Sequence, residues 1–145
     1  MLSWGEGEGK KEGYNRMNDK NDWQVIYAYT RKQAISDGCL IDVTDTAKEA
    51  GFRVPAALTR TVWARYVEVP EGVHGQDEKG RLWDVLWMCR FGVSQGNRDK
   101  SEFLFKLHVR NDNRGGEPPL VTLKAVCGPA DDGTPCLTIM LPDED

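Results

Sequence analysis

No run in this 145-residue chain approaches the ~20 consecutive apolar residues of a membrane span, and its first residues lack the apolar core of a secretion signal. A membrane partner is therefore not expected, and the cytoplasm is the expected location. Histidine is scarce, with only His74 and His108, and none of the four cysteines (Cys39, Cys89, Cys127, Cys136) lies in a CxxC pair. A zinc site needs three or four sulfur or nitrogen ligands. No metal and no small-molecule cofactor is expected, and the cysteines read as reduced thiols. A surplus of positive charge is missing as well: 19 Lys+Arg against 23 Asp+Glu leave a net charge of −4. The whole-molecule field thus repels nucleic acid, which leaves open a local basic patch or an acidic face that imitates nucleic acid. The glycines of "GEGEGK" are wrongly spaced for a phosphate loop and follow no strand. No repeat of 20 to 50 residues is visible.

What is present is a globular balance, 39% hydrophobic and 29% charged residues with five Trp, four Tyr and four Phe. That suits one domain with a single core. Residues 1–22, with Gly5, Gly7, Gly9 and Gly13 among charges of both signs, read as a flexible leader, with Trp4 as its one candidate anchor. Residues 23–145 read as the folded domain.

"WQVIYAYT" is β-branched and aromatic, a strand. Thr30 is placed to cap a short helix ended by Gly38, "CLIDV" reads as a strand, and "TDTAKEAGF" as a helix capped by Thr44 or Asp45 and stopped at Gly51. "VPAALTRTVWARYVEVP" predicts the first long helix, with Pro55 in its first turn and Leu58, Val62 and Tyr66 four apart. "RLWDVLWMCRFGV" carries two stripes, Leu82, Leu86, Cys89 and Val93 beside Trp83, Trp87 and Phe91. From Phe103 the period falls to two, and three strands, "FLFKLHV", "LVTLKAVC" and "CLTIML", follow with turns between them. The order β-α-β-α-α-α-β-β-β makes the class α+β: an N-terminal β-α-β-like segment and a C-terminal three-stranded antiparallel meander packed against helices.

Several groups are candidates for function. Asp131, Asp132, Asp143, Glu144 and Asp145 put five carboxylates in the last fifteen residues; they suit a cation site, an edge that imitates nucleic acid, a docking tail for a basic partner, or a turn and a solvated end. Lys106, His108, Arg110 and Arg114 form a basic edge that suits phosphates or an acidic partner, or else the wet face of a sheet. Trp83, Trp87 and Phe91 suit an interface anchor or a stacking platform, although helical spacing of aromatics favours core. Cys127 and Cys136 flank a predicted hairpin and read as structural thiols. Neither histidine has a nucleophile beside it in sequence, so no catalytic residue is assigned.

The blocks "VIYAYTRKQAISDGCLIDV", "AGFRVPAALTRTVW", "GRLWDVLWM" and "VTLKAVCGPxDDGxPxxTIMLPxED" resemble, in this order over about residues 24–145, a widespread bacterial family of unknown function. Its members are small proteins often encoded on plasmids, integrative elements and phage-like regions. The resemblance implies an accessory role on a mobile genetic element and carries no catalytic residues; the leader departs from it.

The expected function is non-enzymatic: contact with a protein or nucleoprotein complex, in its most concrete form inhibition of a host defence system such as CRISPR or restriction. An enzyme acting on a nucleotide or nucleic acid is the alternative, with "YAYT" lining a cleft and His108 or Arg110 on phosphate. A direct nucleic-acid-binding module is the third reading.

Overall fold

The computed structural model describes residues 30–97 and 100–144. The leader, its boundary at residue 22 and the strand expected over 23–30 lie, except for Thr30, outside the described residues. The chain divides into two compact units, Met1–Gln33 and Ala34–Asp145, and the sheet belongs to the second.

Helix α1 (Arg31–Ser36) begins as its sequence dictates, with the Thr30 hydroxyl accepting from the Gln33 amide at 3.1 Å. It ends before Gly38, whose φ of +83° suits a residue without a side chain. Strand β1 (Leu40–Asp42) leads into helix α2 (Thr44–Glu49). The cap expected from Thr44 or Asp45 is supplied differently: the Asp42 carboxylate accepts from the Thr44 amide and hydroxyl, so the turn is tied one step before the helix. Gly51, at φ +103°, stops α2 as expected.

The long helix predicted over "VPAALTRTVWARYVEVP" does not form as such. Ala56–Thr59 is strand β2, and only then does a short helix α3 (Arg60–Val62) start, widening into a π-helical turn over Trp63–Val67. The reason is tertiary. Ala56, Ala57 and Leu58 are fully buried between two neighbouring strands, and that pairing outweighs a local helical pattern. Thr59 marks the true start, its hydroxyl accepting from the Val62 amide.

Helix α4 (Glu78–Gly92) is capped by Asp77, whose carboxylate accepts from the Gly80 amide, and runs into a π turn over Val93–Asn97 that Gly96 closes at φ +97°. Strands β3 (Glu102–His108), β4 (Leu120–Pro129) and β5 (Pro135–Met140) complete the chain.

The five strands form one mixed sheet in the order β1-β2-β5-β4-β3. The last three make the expected antiparallel meander, with Phe105 opposite Leu123 and Ala125 opposite Ile139. The meander is one side of the larger sheet: β5 also runs parallel to β2, with Ala56 opposite Leu137, and β2 pairs antiparallel with β1. The class is α+β. Leu82, Val85, Leu86 and Cys89 of α4 pack on one face of the sheet, against Phe103, Phe105, Leu107, Leu123, Leu137 and Ile139. Burying side chains of this size contributes about 1.5–3 kcal/mol each, so this layer fixes how α4 is turned about its axis.

Candidate interaction surface

With α4 anchored in that way, the residues 100° to 180° around from its core stripe point outward. Trp83, Trp87 and Phe91 are 37%, 47% and 52% exposed. Spacing had favoured core for this stripe, and the structure corrects that reading: the aliphatic stripe alone fills the space under the helix. The two indoles lie nearly parallel, their centroids 6.1 Å apart and their planes 12° apart. One turn later the Arg90 guanidinium sits over the Trp87 ring at 5.9 Å. The aromatic row is thus stacked along the helix before anything binds to it.

Beside it runs an open groove of about 990 Å³, lined by Phe52 and Arg53 just after α2, by Trp87, Arg90 and Phe91 of α4, and by Val93 just beyond it. Gly51 lets the two walls meet. A side-chain carbon at that position would come within 2.7 Å of the Arg90 Nε, on a backbone whose positive φ already strains any other residue. Arg53 and Arg90 are both exposed, and among the described residues neither forms an ion pair and no carboxylate lines the groove. In a molecule of net charge −4 this is a local positive surface with an apolar floor.

The basic edge is largely committed to its own loop. Lys106 and His108 stand on the outward face of β3, but the His108 ring bonds the Pro118 carbonyl at 2.8 Å and lies 3.4 Å from Glu117. The Arg110 guanidinium donates to the carbonyls of Arg114 and Gly116 and lies 3.8 Å from Asp112, while Arg114 is 4.0 Å from the same carboxylate. The space joining His108 and Arg110 to Tyr66, Arg81 and Asp84 is about 30 Å³, the volume of roughly one water. His74 belongs to an exposed loop, its amide donating to Asn113.

The carboxylates do not make one edge. Asp131 and Asp132 are in the β4–β5 turn, whereas Asp143 and Glu144 follow the far end of β5. Six residues of strand, about 20 Å, separate the two groups. Asp132 accepts from the Thr134 hydroxyl and amide, and those bonds hold its carboxyl below the usual range. Glu144 turns inward, its carboxylate accepting from the Thr59 hydroxyl and the Leu141 amide and its carbonyl from the Lys124 ammonium. Asp145 lies outside the described residues.

Cys127 and Cys136 flank the hairpin as expected, yet register puts them on opposite faces: Cys127 faces Leu137 and Cys136 faces Gly128. Burial, and then its neighbour Cys127, pushes the Cys89 thiol up to about 12; burial, and then Cys136, raises Cys127. Among the described residues no three His, Cys, Asp or Glu side chains gather closely enough to hold a metal, and no helix is long and apolar enough to cross a membrane.

Two features carried no sequence signal. Arg81 is 5% exposed and, among the described residues, forms no ion pair; it donates to the Val67 and Arg110 carbonyls and to the Gln76 and Asn111 side chains. The groove itself joins residues nearly forty positions apart, of which only Trp87 and Phe91 stood out as candidates for contact.

Fold and surface together define a small α+β protein with a preformed aromatic row beside an arginine-flanked groove. The chain belongs to a family of unknown function, DUF6573, whose model matches residues 17–145. Neither a curated protein nor a solved structure matches it.

Proposed function

We propose that the chain is a non-enzymatic binding protein that engages a protein partner through the α4 aromatic row. One observation carries this reading: Trp83, Trp87 and Phe91 occupy successive turns of a helix whose opposite face is locked in the core, and all three remain exposed. Exposed large aromatics grouped on a rigid element are the residue types that dominate binding energy at protein interfaces. Rotation of α4 cannot hide them, since that would bring Leu82, Leu86 and Cys89 into water.

In its finer form the proposal makes the chain an accessory protein of a bacterial mobile element, acting in the cytoplasm on a protein or nucleoprotein complex of host defence. The acidic net charge and the resemblance of its sequence blocks support that form. A photo-crosslinking residue in place of Trp87, irradiated in the bacterial cell, is expected to give one dominant adduct that is absent when the crosslinker replaces exposed Lys48 on α2. Equal or no labelling from the two positions sinks the reading.

A further inference from the structure

Resting on the aromatic-row reading, we infer that the groove between α2 and α4 takes an acidic peptide segment with an apolar anchor, supplied by a protein partner. Charge complementarity selects this occupant. Arg53 and Arg90 border an apolar floor of Phe52, Phe91 and Val93, without a counter-charge among the described lining residues. Their guanidinium forks match carboxylates, and the floor accepts a large apolar side chain. A groove of about 990 Å³ is open enough for a few residues of extended or helical chain.

A single nucleic-acid strand asks for something else. It is held by aromatic faces on which bases stack and by a positive track along the backbone. Trp87 already has Trp83 stacked one turn before it and Arg90 over its ring one turn after it. An incoming base would compete with both for the ring face. The positive charge here is also confined to two arginines on a molecule that carries −4 overall, enough for a short acidic segment and unfavourable for a long polyanion.

The test is selection of a random dodecapeptide library displayed on phage against the full chain, followed by binding of the enriched peptides to variants. Enriched peptides are expected to combine Asp or Glu with Phe, Trp or Leu. Their affinity is expected to fall about tenfold on Arg53→Glu and to weaken steeply from 50 to 500 mM salt. Arg53 is exposed and, among the described residues, forms no ion pair, so this variant is expected to keep the fold; Arg90→Gln is the second, milder probe. Peptides that lose binding on Trp87→Ser but ignore Arg53→Glu would overturn the acidic occupant while leaving the aromatic row intact. Peptides indifferent to Trp87→Ser, or no enrichment at all, would overturn both. Tight binding of a dT12 oligonucleotide that Trp87→Ser abolishes would replace the peptide with a nucleic-acid strand.

Discussion

Cys89 shows how far a single residue's chemistry follows from its depth. It is fully buried under α4, and with its thiol pushed up to about 12 only about one molecule in ten thousand carries a thiolate there at pH 8. Native protein treated with iodoacetamide at pH 8 is expected to label at exposed Cys39 and Cys127 and to leave Cys89 unmodified until denaturant is added. Peptide mass mapping reads the result, and fast native labelling of Cys89 would show that the layer beneath α4 opens. The sign of the pH effect follows. A thiol whose folded value lies above its ordinary 9.0 contributes stability that is complete below pH 9 and is lost as pH rises towards 12. The sequence carried this residue as one of an aliphatic stripe, and that much was legible. Which of two adjacent stripes would face water was not, because helical spacing says that residues share a face and nothing about what lies opposite.

Among the elements, the junction held by Arg81 is the most exposed to a single change. Its guanidinium ties the last turn of α3's π-helical extension to the loop that follows β3, and Asn111 adds a bond to the Arg65 carbonyl. The Val67 carbonyl is one of the orphan acceptors at a helix C-terminus, where a cation is favoured. Burial pushes the guanidinium's pKa down, so the neutral acceptors around it must offset the cost of desolvating the charge. Arg81→Met leaves four acceptors without this donor and is expected to cost about 3 kcal/mol in urea unfolding. Arg81→Lys is expected to recover little, since one ammonium cannot span them; full recovery would reduce the role to charge alone. Elements with strong local signals, α1, α4 and the β3–β4–β5 meander, were legible in the sequence. Strand β2 was not: "AALT" has no strand character of its own and becomes one because β1 and β5 lie on either side.

At the scale of the whole molecule, the sheet leaves β3 at one edge, where Glu102 and Lys106 place charge on its outward face beside exposed Leu104. Charged side chains are one way an open strand edge avoids pairing with another chain. Helix α4 covers the other face, with Gly92 against the Phe103 ring, where a side-chain carbon would be 2.9 Å away. At the sheet's centre β5 joins β2 to β4, and Glu144 reinforces the junction by holding Thr59 on one side and Lys124 on the other. The pairing of Ala56 with Leu137 spans about eighty residues of chain. Contacts that distant make folding slow. On a ribosome the β1–β2 segment and the β3–β4 segment therefore lack the strand that joins them until the residues of β5 have left the exit tunnel. Chains stalled so that residue 134 is the last to emerge are expected to be cut throughout by protease, and chains in which residue 144 has emerged to resist; equal resistance of the two would show that the halves settle without their bridge. Until residue 135 has been made, then, the sheet lacks its middle strand.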